Sequence, residues 1–171
     1  IPRTMAMGVL SGLDISTIKS LPPNRTPIIT TTLPNNRRDA LINRIKSAIN
    51  KNSQVYWVCP LIDESESELI GIEDLEKILK KEFDSQDYEI IHGKMKDMDK
   101  QKILSDFKEK KTKILLATTV IEVGIDVPDA NIMVIENSER FGLAQLHQLR
   151  GRVGRGEKES FCILMLSLIH I

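Results

Sequence analysis

The sequence predicts an α/β fold in which a parallel β-sheet is covered by helices on both faces. Short runs that are almost wholly apolar alternate along the chain with longer segments whose apolar residues recur at helical spacing. Strands that are apolar on both faces belong to sheets that are buried from both sides, and such sheets are parallel. With 171 residues, the chain is long enough for one domain of this kind with a sizeable core.

The regular pattern begins near residue 37 and follows a segment that is rich in proline. Residues 1–35 hold five of the seven prolines, which interrupt any long helix. Within this segment, residues 27–33 are rich in β-branched side chains and are suited to a strand. We interpret residues 1–35 as an interlobe lead-in, 36–167 as the folded domain and 168–171 as a non-native tail. The start without Met and the apolar end indicate a fragment.

Within the domain, the pattern predicts strands and amphipathic helices in alternation. The predicted strands are residues 54–59, 88–91, 114–117, 132–135 and 161–166. The predicted helices are residues 37–49, 72–83, 96–110 and 143–149. Because ligands gather at the carboxyl ends of parallel strands, we expect the turns that follow the strands to form one functional edge that carries the motifs.

Composition and charge exclude several classes of function. The formal net charge is zero, so a polyanion would have to be bound by a local patch rather than by an overall basic field. The longest apolar runs are too short to span a membrane, and the start has no secretory signal, so we expect a cytoplasmic protein. Cys59 and Cys162 lie in apolar runs and are predicted to be buried, reduced thiols without metal-ligand spacing.

The most informative motif is QLHQLRGRVGR, at residues 145–155. Arginine keeps its charge and presents a planar fork of donors that fits phosphate oxygens. Glycine lets the backbone come close to a ligand. Arg152 and Arg155, each preceded by glycine, are therefore predicted to face one polyanion. The alternative is an exposed loop that binds nucleic acid without sequence preference.

A second motif, HGKM, directly follows the predicted strand 88–91. His92 and Gly93, beside Lys94, are candidates for contact with a phosphate or sugar backbone. The alternative is an ordinary glycine-containing turn with a solvated lysine.

A third motif, ATTVIEVGIDVP, follows the predicted strand 114–117. Thr118 and Thr119 offer hydroxyl and N–H groups for phosphate binding at a strand end. Gly124 permits close approach of a ligand, and Asp126 offers a carboxylate to a ribose hydroxyl or an arginine. The alternative is a helix cap followed by a turn, with Asp126 acting only as a cap.

Taken together and in this order, the motifs resemble the second RecA-like lobe of superfamily 2 helicases, and most of all the bacterial RecG family, which acts on branched DNA in recombination and repair. The resemblance covers about residues 1–166 and implies a RecA-like fold of the P-loop NTPase type. It is carried by segments similar to the family's motifs III to VI, namely IPRT, VYWVCPLIDESE, HGKM, ATTVIEVGIDVP and FGLAQLHQLRGRVGRG.

The resemblance also implies roles for individual residues. Arg152 and Arg155 would reach the γ-phosphate of ATP, and Gln148 would link the nucleotide state to the cleft between the lobes. The positions that would face the nucleotide are Gly124 and Asp126. The positions that would line the DNA side are His92, Gly93, Thr118 and Thr119.

The sequence lacks a G-x-x-x-x-G-K-[ST] loop and an acidic Walker B segment. ATP and Mg²⁺ are therefore expected to be held mainly by a first lobe that precedes this one, and the chain alone is expected to be inactive as an ATPase. The implied partners are branched or duplex DNA, the first lobe and a wedge domain, in a monomeric bacterial protein. Two alternatives remain: a lobe of a transcription-repair coupling translocase, or a non-catalytic nucleic-acid-binding module.

Overall fold

The computed structural model describes residues 27–60, 68–118, 127, 129–156 and 158–167. In these residues the strands are β1 (Ile28–Pro34), β2 (Gln54–Val58), β3 (Tyr88–Ile91), β4 (Ile114–Ala117), β5 (Ala130–Ile135) and β6 (Ser160–Leu166). The α-helices are α1 (Arg38–Ile49), α2 (Glu68–Glu82), α3 (Asp97–Lys108) and α4 (Leu143–Arg150). Two short 3-10 helices, Asn35–Arg37 and Ser138–Arg140, precede α1 and α4.

The six described strands form one sheet in the order β1-β6-β5-β2-β4-β3. Every neighbouring pair is parallel. The predicted α/β class is therefore confirmed, and the predicted strands lie within one or two residues of the observed ones. Because all the strands run in the same direction, each helix has to return the chain across a face of the sheet.

Alternate residues of β2 explain why the strand is apolar throughout. All five of its residues are buried, but Val55 and Trp57 pack into one core cluster while Tyr56 and Val58 pack into another. The first cluster lies under α1 and α2, and the second lies under α3 and α4. Successive side chains of a strand point to opposite faces, so a central strand between two helical layers has no polar face.

The lead-in assigned to residues 1–35 contributes its last part to the sheet. Residues 28–34 form β1, which pairs along its length with β6 and confirms the strand suggested by the β-branched run. The strand is mostly exposed, with Ile29 half exposed, because it has one neighbour and lies at the edge of the sheet. Polar threonines are tolerated there, which is why this strand looks unlike the central ones. The domain boundary at residue 35 stays a prediction.

Helix α3 ends in a run of exposed charged residues, 108–111. The helix ends where Lys110 takes a left-handed backbone, with φ of 62°. Lys111 pairs with Asp106 at 2.8 Å and with Glu109 at 2.9 Å, on the exposed end of the helix. Cations near a helix C-terminus interact favourably with the helix dipole, so the run ends the helix rather than forming a site of its own.

Candidate functional site

Helix α4 leads into the arginine loop. It begins after Gly142, whose N–H donates to Oε1 of Gln145 at 3.1 Å. It ends at Gly151, whose N–H donates to the carbonyl of His147 at 3.1 Å. Leu149 is buried against the sheet, so the helix is anchored by its last turn. This anchor fixes the point from which the arginine loop departs.

The arginine loop lies at the amino edge of the sheet. Gly154 has a φ of +77°, and a Cβ placed there would lie 2.9 Å from Cγ1 of Ile28 and 3.7 Å from Cβ of Ser160. Ile28 and Ser160 are the first residues of β1 and β6. The expectation that all motifs share the carboxyl edge is therefore wrong for this loop. Helix α4 starts at the carboxyl edge and carries the chain back, because β5 and β6 are parallel.

The candidate residues of this segment lie at the end of α4 and just beyond it. Gln148 is exposed on the helix, Arg152 is half-buried and Arg155 is exposed. The backbone N–H of Arg152 donates to the carbonyl of Leu149 at 2.9 Å. Val153, between the two arginines, is fully buried. The buried valine pins the loop to the core and leaves one arginine on each side of it.

His92 and Thr118 lie together at the carboxyl edge. They follow Ile91 and Ala117, which are register partners in the β3–β4 pair, and the N–H of Thr118 donates to the carbonyl of Ile91 at 3.3 Å. Thr118 is fully buried. Its Oγ1 and the Nδ1 of His92 are buried and have no hydrogen-bond partner among the described residues. Such orphaned polar atoms are rare and point to an unfilled contact.

Gly93, the next residue of the HGKM motif, is exposed in the turn before α3. Its carbonyl accepts a hydrogen bond of 3.0 Å from Nζ of Lys100. Lys94 and Lys96 are also exposed on this turn. The turn therefore presents two exposed lysines beside the strand ends, which suits a polyanionic surface. Thr119, Gly124 and Asp126 lie outside the described residues, and their roles remain predictions.

A partly buried ion pair at the carboxyl edge was not anticipated from the sequence. Nη2 of Arg38 lies 2.8 Å from Oε2 of Glu136, and Nη1 of the same guanidinium contacts Oε1. Nε1 of Trp57 donates to Oε1 of Glu136 at 2.9 Å. The pair borders a cleft of about 280 Å³ that is also lined by Asn35 and Asp74. The available signal was an acidic residue placed directly after an apolar strand, which the periodicity alone could not connect to Arg38.

The two cysteines are free and buried, as predicted. Burial raises the pKa of the Cys59 thiol to about 12, and the negative charge of Glu136 adds to the increase. Burial also raises the pKa of Cys162 to about 11, against a smaller opposing effect of Arg150. Both groups are therefore protonated thiols near neutral pH and are poor nucleophiles.

Two further properties hold for the part of the chain that the structure describes. No group of three or more His, Cys, Asp or Glu side chains there is arranged to hold a metal ion. No helix there is long and apolar enough to cross a membrane.

Comparison with protein families gives the class of protein. The model of the helicase conserved C-terminal domain matches residues 26–157, a range that contains the described strands β1 to β5 and the arginine loop. The chain therefore belongs to the helicase conserved C-terminal domain family.

Individual relatives narrow this class to one kind of helicase. The chain is 52% identical, over 167 residues, to the ATP-dependent DNA helicase RecG of Haemophilus influenzae, covering 96% of this chain and 24% of that protein. A solved structure of RecG bound to a three-way DNA junction matches with a TM-score of 0.79 and 41% identity, over 99% of this chain and 22% of that one. The resemblance to the RecG family is confirmed, and the chain spans about a quarter of these relatives.

A more distant match bears on the fold alone. Domain 2 of the Mss116p DEAD-box helicase, solved with an RNA duplex, is 23% identical with a TM-score of 0.64, over 81% of this chain and 54% of that one. The fold is therefore the RecA-like architecture of second helicase lobes, as the sequence predicted.

Proposed function

We propose that this chain is the second motor lobe of an ATP-dependent DNA helicase that remodels branched DNA, by replication-fork reversal and Holliday-junction branch migration. The observation that carries the proposal is the match of 99% of the chain to RecG bound to a three-way DNA junction, at 41% identity. Fold alone would not support it, because one fold hosts many functions. The motif residues placed at the two edges of the sheet supply the chemistry.

On the nucleotide side, Arg152 and Arg155 would contact the γ-phosphate of ATP, with Gln148 linking nucleotide state to the interlobe cleft. Guanidinium groups deliver positive charge to phosphate oxygens where charge is carried in the transition state. The half-buried position of Arg152 and the buried anchor Val153 support a loop held in one orientation. Gly124 and Asp126 would face the same nucleotide.

Mg²⁺ and most of the ATP would be held by the first lobe. The sequence has no phosphate-cradling loop, and the described residues hold no cluster of potential metal ligands. The contribution of this chain is therefore charge stabilisation from across the cleft. A chain without the first lobe is expected to fold without hydrolysing ATP.

On the DNA side, the candidate residues are His92, Gly93, Thr118 and Thr119. The exposed Lys94 and Lys96 lie on the same turn as Gly93 and would attract the phosphate backbone. The Oγ1 of Thr118 and the Nδ1 of His92, which have no hydrogen-bond partner among the described residues, would bind phosphate oxygens. Contacts to the backbone rather than to bases suit a motor that moves along any sequence.

The distance between the nucleotide-facing edge and the DNA-facing edge of the sheet suggests how one lobe couples ATP hydrolysis to movement of DNA. A strand rises about 3.3 Å per residue, so the two edges of the sheet are roughly 20 Å apart and are joined by hydrogen-bonded, buried strands. Closure of the cleft at the arginine loop would therefore move the DNA-facing edge as a rigid unit. The first lobe and a wedge domain would complete the full-length helicase. That helicase would be a monomeric, cytoplasmic bacterial enzyme.

The test uses the full-length protein with Arg152→Ala and Arg155→Ala. Each variant should lower kcat for DNA-stimulated ATP hydrolysis by at least about a hundredfold, since arginine fingers contribute this much or more. Fork unwinding should fall in parallel, while binding to fork DNA without nucleotide is retained.

The matched control is Arg150→Ala, which removes an arginine from the same segment without touching either proposed position. It should keep kcat within about threefold of the wild type. Wild-type turnover in both Arg152→Ala and Arg155→Ala would contradict the proposal.

A further inference from the structure

The connection between β5 and α4 begins with Glu136, a residue to which no contact with nucleotide or DNA has been assigned. It directly follows β5, and its N–H donates to the carbonyl of Val58 at 2.8 Å. The next residue, Asn137, takes a left-handed backbone with φ of 44°. The 3-10 helix Ser138–Arg140 then leads into α4. The direction in which α4 starts is therefore set within a few residues of Glu136.

The carboxylate of Glu136 joins three elements. Its side chain is 4% exposed and is bound by both terminal nitrogens of Arg38, at the start of α1. Trp57, in β2, donates to the same carboxylate at 2.9 Å. A two-pronged arginine–carboxylate pair has a narrow range of allowed geometries. The end of β5 is consequently held at one distance and angle to α1 and β2.

A hydrogen bond of Ser138 ties the connection between β5 and α4 to strand β6. Oγ of Ser138 donates to the carbonyl of Met165, in β6, at 3.0 Å, and Ser138 is 3% exposed. Helix α4 has eight residues, a rigid rod of about 12 Å. A change of direction at its start is therefore carried along the rod to the arginine loop at the opposite edge.

Stability alone does not account for this arrangement. Replacing a buried ion pair with apolar residues of similar volume is often neutral or stabilising, because desolvation of the charges opposes their attraction. What the pair adds over an apolar contact is a directional constraint at the start of α4.

We propose that Glu136, held by Arg38 and Trp57, is a positioning residue for ATP hydrolysis. It fixes the direction in which α4 leaves the sheet, and so the place where Arg152 and Arg155 meet the nucleotide. The inference rests on the proposed function, since it needs a nucleotide for the arginines to meet. Glu136 itself contacts neither nucleotide nor DNA in this scheme.

The test measures kcat and KM for ATP in the full-length protein carrying Glu136→Gln, with fork DNA present. Glutamine keeps the size of the side chain and an acceptor for Trp57 but loses the ionic pair with Arg38. A displaced arginine loop reduces stabilisation of the transition state more than it reduces the affinity for ATP. We therefore expect kcat to fall about tenfold while KM stays within about twofold of the wild type. The double variant Arg38→Gln/Glu136→Gln should lose no more than either single change.

The control for a merely structural effect is Ile45→Val. Ile45 is buried in the same core cluster as Trp57, and its side chain has no polar group that could join the Arg38–Glu136 pair. Both variants are assayed well below their melting temperatures. Ile45→Val should lower the melting temperature while leaving kcat at the wild-type value.

Wild-type kcat in Glu136→Gln overturns the inference, as does an equal loss of kcat in Ile45→Val or a rise in KM alone. If Glu136→Gln does not fold, Arg38→Lys decides by the same criteria, because lysine keeps the charge without the two-pronged geometry. Arg152→Ala in the same assay distinguishes failure of the proposed function from failure of the positioning role. Wild-type kcat in Arg152→Ala would contradict the proposed function. A low kcat in Arg152→Ala together with a wild-type kcat in Glu136→Gln would contradict only the positioning role of Glu136.

Discussion

Gly154 of the arginine loop rests against Ile28, the first residue of β1. A Cβ at position 154 would lie only 2.9 Å from Cγ1 of Ile28, and the backbone there has a φ of +77°. The glycine between the two arginines therefore meets two demands at once, a left-handed backbone and a close approach to the sheet. The edge strand, although mostly exposed, forms the surface on which the loop is seated.

Gly154→Ala should destabilise this chain and displace the arginine loop. The left-handed backbone costs a residue with a Cβ about 1–2 kcal/mol, and the contact with Ile28 has to be relieved as well. Urea unfolding of the chain measures the loss of stability, and kcat of the full-length variant should fall with it.

Gly142→Ala is the matched control for that change. Its φ is −65°, and a Cβ there would meet nothing nearer than Oε1 of Gln145 at 3.7 Å. We expect a loss of no more than about 1 kcal/mol, the size of a helix-cap effect. An equal loss in the two variants would contradict the account of Gly154.

Thr118→Val separates a structural role of this threonine from a DNA-binding one. Valine has nearly the same shape, and the hydroxyl it removes is buried with no partner in the part of the chain that the structure describes. Removal of an unpaired buried polar group does not destabilise a fold, so the melting temperature should be unchanged or higher. If the hydroxyl binds the DNA backbone, the full-length variant should bind fork DNA about three- to tenfold more weakly.

Thr118→Ser keeps the hydroxyl and serves as the control in the same binding assay. It should retain wild-type affinity, although loss of the methyl group lowers its stability. Unchanged affinity in Thr118→Val would remove this residue from the DNA side.

Because its two thiols are buried, the folded protein should lose stability in alkaline solution. Cys59 and Cys162 have pKa values of about 12 and about 11, raised from 9.0 mainly by burial. Above pH 9 the unfolded chain releases these protons while the folded chain retains them, so their contribution to stability is present below that pH and is lost as the pH rises toward 11–12. The slope should be roughly 1 kcal/mol per thiol for each pH unit.

The measurement is the free energy of unfolding in urea between pH 8 and 11, for the wild type and for Cys59→Ala/Cys162→Ala. Lysines and tyrosines also titrate in this range, but their effect is common to both proteins. The double variant should show the shallower decline with pH. Parallel declines in the two proteins would show that the thiols are not responsible.

The strand pattern was predictable because it depends on local residue order. Every residue of β2 is apolar except Gln54, and a strand of that kind can only lie between two covered faces. Gln54 itself is buried because its amide nitrogen donates to the carbonyls of Phe107 and Thr112. That pairing depends on residues more than fifty positions away, and no periodicity encodes it.

The candidate site, like the fold, was predictable from the sequence only in part. The sequence alone determined the alternation of strands and helices and pointed to the candidate arginine and strand-end residues, because these follow from local spacing and residue chemistry. The RecA-like class followed from the resemblance of the motifs to those of second helicase lobes. Tertiary structure decided that Arg152 and Arg155 lie at one edge and His92 and Thr118 at the other, since α4 has to return the chain between two parallel strands. It also brought Arg38 to Glu136, 98 positions away, because only the packing of α1 against the end of β5 makes these two charges neighbours.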